Sequence, residues 1–365
     1  MGTDFYREIV CQTPRQFLNH LTPWNSEFNI SDYVFRGHSN DLYKLIPSAA
    51  RIDKPGKGVF DISVRGFQKK DKFYDSVKHI ISSGKVLKTH QINAEFDVLR
   101  RFYIKANSHG LYVPKSKILS HSMEQESVLA TSLMRLYRLE TWMSKEVAEV
   151  AALAQHYGLP TRLLDWTYNP QIAAYFASNK LKKSFEDEDY ISVWMLNLKT
   201  LSKILDKNNS TLKIYNPHYQ WNDNVISQRG LFTYIETGDM TNMRKLTIKY
   251  LNSLIDDNSS IDDESYDNIF FNRSYGIDSA ISDEIKKYSE GPERNEDNKI
   301  SLKDVLVKIK IKAKHSIEIN NLLRAMNFSE STIYPGYKGV ADDILYLAKS
   351  KSITRKIPIS AIVIK

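Results

Sequence analysis

Ala154-Gln155-His156-Tyr157-Gly158-Leu159-Pro160-Thr161-Arg162-Leu163-Leu164-Asp165-Trp166-Thr167 links a long amphipathic stretch to a short strand, and its punctuation sets the architecture around it. Gly158 is a natural helix stop, and Pro160 prevents the helix from continuing. Thr161–Trp166 then reads as a short strand. Asn169-Pro170 supplies an N-cap followed by proline at the first helical position, which opens a helix over Gln171–Leu181. A connector that only had to turn is expected to carry Gly, Pro and small polar residues. This one also holds an imidazole, a guanidinium, a carboxylate, an indole and a hydroxyl. Side chains of that kind on a short loop between rigid flanks point to a site. A buried Arg162–Asp165 ion pair with Trp166 as core explains them as well, because structural ion pairs mimic functional clusters.

Upstream, Met123–Tyr157 reads as helix. Ser122 and Gln125 make a capping box, and apolar residues such as Val128, Leu136, Met143, Val147 and Val150 recur at helical spacing. At that length the pattern divides into two helices if the chain breaks near Thr141. Asp32–Gly37 reads as a short strand ended by Gly37. Residues 51–90 read as loops with one short amphipathic helix, followed by a helix over Ile92–Ala106. Downstream, Ile191–Leu198 reads as a strand. Val305, Val307, Ile309 and Ile311 alternate with Leu306, Lys308, Lys310 and Lys312, as a half-exposed strand does. Ser316–Met326 and Lys338–Lys349 read as helices and Ile357–Ile364 as a last strand. Elements mixed in this way, without regular βαβ alternation, predict an α+β fold: a mixed β core with flanking helices.

Composition bounds the partners. The 365 residues include one cysteine, Cys11, so an internal disulfide is impossible and no cysteine-based zinc cluster exists. A reducing, cytoplasmic compartment is expected. No apolar run approaches the ~18–20 residues of a membrane span, and the N-terminus lacks the layout of a signal peptide, so no membrane partner is expected. The net charge of +8 is uneven. Asp256 to Asp297 holds thirteen acidic and four basic residues, a net of −9, which leaves the remainder near +17. A surface that basic attracts nucleic acid or nucleotide phosphates. The acidic stretch shows little periodicity and reads as an insertion or flexible excursion. There is no phosphate loop, no dinucleotide-binding Gly-x-Gly-x-x-Gly, no Gly-x-Ser-x-Gly elbow and no short-spaced histidine pair, so no metal site is expected. Nothing in the sequence fixes an oligomeric state.

A dispersed set of motifs remains. Phe35-Arg36-Gly37, Gln155 to Thr167, Ala174-Tyr175-Phe176-Ala177, Gln228-x-Gly230-x-Phe232 and Pro335 to Gly339 together resemble the FRG domain family, over about residues 30–345. On that basis residues 1–29 form an N-terminal extension, 30–350 an FRG-like domain with the acidic insertion at about 256–299, and 351–365 a strand completing it. A weaker resemblance is to ADP-ribosyltransferases of the Arg–Ser–Glu class. Aromatic-Arg-Gly on a first core strand, and a strand-end hydroxyl followed by a Pro-x-x-Ala-x-x-Phe-Ala helix, are similar to Phe35-Arg36-Gly37 and to Thr167 through Ala177. That resemblance implies an ADP-ribosyltransferase-like architecture, NAD as cofactor and a nucleic acid or protein as acceptor. The class's Gln/Glu-x-Glu is here Gln228-Arg229-Gly230, so glycine stands at the catalytic glutamate position.

The chemistry of the residues permits a nucleotide site. A guanidinium fork suits a pyrophosphate, which makes Arg36 and Arg162 candidate clamps, with Gly37 giving room for close approach. Trp166 or Tyr175 can stack on a base, and Thr167 holds the hydroxyl position. Asp165 and Glu236, with Gln228, are the candidate catalytic groups, since glycosidic cleavage needs a carboxylate facing the ribose. The bland readings are an Arg36–Asp165 pair inside the fold, Tyr175-Phe176 as core, Gln228 as a satisfied buried amide and His156 as a helix-dipole partner. The leading functional reading is a nucleotide-binding, NAD-dependent transferase-like domain. The alternative is a non-catalytic module that binds nucleic acid or protein.

Overall fold

A computed structural model of the chain describes residues 6–24, 27–51, 58–64, 86–120, 140–180, 186, 189–218, 230–253, 269–290 and 302–354. Among these residues seven strands build one sheet: β1 (Arg7–Cys11), β2 (Tyr33–His38), β3 (Leu164–Thr167), β4 (Tyr190–Asn197), β5 (Leu212–Tyr215), β6 (Gly230–Ile235) and β7 (Leu306–Lys312). Their order is β1-β7-β4-β2-β3-β6-β5. β1 and β7 run parallel, and every other neighbouring pair is antiparallel. The fold is α+β, with a mixed sheet flanked by helices.

Alternation along the strands sends residues to two faces. On one face Phe35, Val193, Met195 and Ile309 pack against the helices Pro170–Ser178 and Ser316–Ala325 through Ile172, Ala173, Ile319 and Leu323. Farther along, Phe232 and Tyr234 join Phe96, Leu99, Val147 and Val150 from the helices Lys88–Ser108 and Lys145–His156. On the opposite face Val34, Leu164, Trp166 and Trp194 pack against Leu201 and Ile281 of the helices Leu198–Asn208 and Ile277–Glu290.

The central punctuation behaves as read. The Lys145–His156 helix is closed by Gly158, at φ +88°. Asn169 caps the Pro170–Ser178 helix by accepting from the Gln171 and Ile172 amides. The break near Thr141 is real, because Trp142 pairs with Thr237 in an isolated β-bridge before the helix begins at Lys145. The upstream part of that amphipathic stretch, 121–139, lies outside the described residues, as does the expected strand Ile357–Ile364.

Three expectations change. Arg7–Cys11, assigned to an extension, is an edge strand of the sheet. β7, expected half-exposed, is flanked by β1 and β4 and is largely buried. Its alternating lysines are accommodated by partners. Lys308 Nζ donates to the Asp41 carbonyl at 2.7 Å and lies over the Trp194 ring, and Lys310 pairs with Glu8 at 2.7 Å. Within 256–299, Ile277–Glu290 is a helix that buries Ile277, Ala280, Ile281 and Ile285 in the core. Its acidic residues hid a helical stripe of aliphatic ones.

Candidate functional site

β2 and β3 share one residue pair, Phe35 with Thr167, whereas β2 is matched to β4 over its whole length. Toward His38 and Leu164 the two strands therefore separate. The Arg36 guanidinium bridges the gap. Its Nη1 donates to the Asp165 carbonyl at 2.8 Å and pairs with the Asp165 carboxylate at 2.7 Å. Its Nε donates to His38 Nε2 at 3.1 Å.

Two concavities meet at this bridge and share Arg36, Arg51, Gln155 and Asp165. The smaller, about 320 Å³, continues past Ser48, Gly58, Leu159 and Leu163. The larger, about 500 Å³, continues past Tyr43, His156, Phe176, Lys180 and Tyr334. The cleft thus lies at the separated ends of β2 and β3. The Pro170–Ser178 helix and the residues just after it bound the larger concavity on one side. The end of the Lys145–His156 helix bounds it on the other.

A chain of hydrogen bonds fixes the bridge. Gln155 Nε2 donates to Asp165 Oδ1 at 3.2 Å, and Gln155 Oε1 accepts from the Thr161 hydroxyl. That orients the Gln155 amide. Because Arg36 is always a donor, His38 Nε2 must be the unprotonated nitrogen. His38 Nδ1 then carries the proton toward the Tyr43 carbonyl, 3.1 Å away. His38 is buried, and desolvation, with the charges of Arg36 and Arg51, holds its pKa well below the usual range. Desolvation would raise Asp165, but the Arg36 charge and hydrogen bond outweigh it and its pKa is lowered. At neutral pH the site therefore holds a guanidinium, a carboxylate and a neutral imidazole.

The cleft unites some expected residues and leaves others out. Arg36, Gly37, Asp165, Trp166, Thr167 and His156 all line it. Arg162, a candidate phosphate clamp, does not. Its buried guanidinium pairs with Glu95 at 2.6 Å and donates to the Ile235 carbonyl and Thr237 hydroxyl. The Arg162–Asp165 pair does not form; the bland Arg36–Asp165 pair does. Trp166 is no stacking platform, because its indole is buried and donates to Thr233 at 2.9 Å. Tyr175 is fully buried core. Thr167 accepts from the Asn169 amide, which starts the next helix. Glu236 lies past the opposite end of β6 from Gly230, near Lys213, and is not among the lining residues. Gln228 lies outside the described residues. Gly37 admits the Pro170–Ser178 helix, since a Cβ there would sit 1.9 Å from the Ala173 carbonyl oxygen.

Residues 31–186 match the FRG domain. The chain carries an FRG domain. Searches of curated proteins and of solved structures return no match. The FRG domain spans β2, β3 and the helices that bound the cleft, and so contains Arg36, Arg51, Gln155, Asp165 and Lys180. Gly230, Phe232 and Tyr334 reach the cleft from beyond its C-terminal limit. Sequence reading missed Arg51 and Tyr43, which sit in segments without periodicity, and Lys180, which it placed within the helix that ends at Ser178. It also missed Glu95, although a carboxylate between Ile92, Phe96 and Leu99 on one helical stripe is a detectable signal.

Desolvated histidines of the FRG domain predict a pH response. Desolvation lowers His90 to about 4 and also lowers His38 and His156. A folded pKa below the unfolded value means that the unfolded chain binds protons first as the pH falls. Stability should therefore be full above ~6.5 and decline toward pH 4, with His90 alone contributing on the order of 3 kcal/mol. Urea unfolding across that range checks this, and a flat profile would refute it. His90→Asn should flatten part of the slope.

Proposed function

We propose that the cleft binds a nucleotide through its phosphates, with NAD the first candidate. The observation that carries this reading is the Arg36 guanidinium, held by Asp165 at the waist where the two concavities meet. Arg51 and Lys180 add positive charge in the walls, and Tyr43 and Tyr334 add rings that suit a base or a ribose. A pyrophosphate is the group to which a fork of this kind is matched. Cleavage of NAD, with transfer of ADP-ribose to a nucleic acid or protein, is the catalytic extension of the same reading. It rests on Asp165, the carboxylate in the cleft, because Gly230 offers none. The solitary cysteine supports a reducing, cytoplasmic setting.

Calorimetry with ADP-ribose and NAD tests the binding. Asp165 is 58% exposed, so water can solvate its charge once the partner is removed, and Arg36→Ala should remain folded. The variant should lose about ten- to a hundredfold in affinity, the cost of one charge-assisted contact of about 1.5–3 kcal/mol. Absence of binding to wild type overturns the reading. Nicotinamide release abolished by Asp165→Asn, with binding retained, supports the catalytic extension.

A further inference from the structure

The cleft does not end at its walls. On one wall, contacts run in sequence from the Arg36 guanidinium to His38, from His38 to the Tyr43 ring, the two steeply inclined with centroids 6.0 Å apart, and on to Lys180, whose Nζ lies 5.9 Å from the centre of that ring. Cation, ring and cation therefore alternate along it. Beside the opposite wall, Tyr157 stands edge-on to His156 and is 70% exposed. Leu42, next to Tyr43, is 82% exposed. A free nucleotide held at Arg36 would leave these outer surfaces in water. A longer ligand with regularly spaced phosphates and flat bases would use them.

We propose that the cleft receives single-stranded nucleic acid, with backbone phosphates at Arg36, Arg51 and Lys180 and bases stacked on Tyr43 and Tyr157. The proposal deepens the reading of the cleft as a phosphate site and depends on it. Two features favour a single strand, the first over other polyanions and the second over a free nucleotide. Stacking platforms between cations match unpaired bases, whose faces a duplex hides. The chain outside Asp256–Asp297 is also near +17, which draws in a polymer far more strongly than a mononucleotide. An acidic peptide would satisfy the charges but not the rings.

The test is fluorescence anisotropy of the full chain with a labelled oligothymidylate of about twelve nucleotides. The matching duplex, free ADP and polyglutamate serve as competitors. The single strand should bind tighter than ADP and tighter than the duplex. Tyr157→Ser, at an exposed position, should leave thermal stability unchanged and weaken the oligonucleotide about five- to a hundredfold while sparing ADP. Lys180→Ala should weaken binding and flatten its salt dependence. If ADP binds in an Arg36-dependent way but the oligonucleotide binds no tighter, the proposal fails and the phosphate-site reading stands. If neither binds, both fail. Equal binding of duplex and single strand, insensitivity to Tyr157→Ser and Tyr43→Ser, or displacement by polyglutamate as readily as by oligonucleotide each overturns it.

Discussion

Arg162→Met is expected to destabilise the protein by about 3–5 kcal/mol, the cost of stranding one member of a buried ion pair. The guanidinium is buried and meets Glu95, itself 2% exposed, at 2.6 Å. Glu95 also accepts from the Trp142 indole at 2.8 Å and from Gln91 at 2.8 Å. Removing Arg162 leaves that carboxylate with neutral donors only, and leaves the Ile235 carbonyl without its donor. Glu95→Gln should cost somewhat less, because the amide keeps an acceptor. The double variant Arg162→Met/Glu95→Met should recover part of the loss, since apolar replacement of a whole buried pair is often neutral. Urea titration of wild type, Arg162→Met, Glu95→Met and the double variant gives the coupling energy. Loss below about 1 kcal/mol for Arg162→Met would mean that the pair is solvated and the network is not structural.

Gly37→Ala is expected to be almost as damaging, for a steric reason. The added Cβ would lie 1.9 Å from the Ala173 carbonyl oxygen and 2.7 Å from the Ala177 amide nitrogen. Both are backbone atoms of the Pro170–Ser178 helix, so no side chain can turn aside. Overpacking of this kind costs about 1–3 kcal/mol and more where backbone must move. Displacing that helix also shifts Phe176, Asn179 and Lys180, which line the cleft. Gly230→Ala is the internal control. There the new Cβ meets the Trp166 carbonyl oxygen at 3.5 Å, an ordinary contact, and stability should hold. Equal melting temperatures for Gly37→Ala and wild type would show that the helix can shift without loss.

Local chemistry made much of this legible in sequence. Gly158, Asn169 and Pro170 announce their turns because capping and positive φ depend on the residue itself. β2, β3 and β4 were visible for the same reason, as short aromatic and β-branched runs. β5, β6 and β1 were not read as strands, although β6 carries a run of the same kind in Phe232-Thr233-Tyr234-Ile235. The pairing of charges was harder still. Arg36 and Arg162 both looked like partners for Asp165, and what separates them is the opposite facing of successive residues near β3 together with Glu95, distant in sequence. Burial decided Trp166 and Tyr175, and no local pattern distinguishes a stacking ring from a core ring.

The parallel register of Arg7 on Val307 has a consequence for synthesis of the chain. β1 is made well before β7, its neighbour among the described strands, which follows some three hundred residues later. β7 also supplies the second edge of β4. Until it emerges, a nascent chain holding β2, β3, β4 and β6 presents the full length of β4 as an open edge, able to pair with another chain. Closure of so distant a contact is slow. A ribosome that stalls before Leu306 therefore yields a product with an unfinished sheet, prone to association, and not a smaller stable domain.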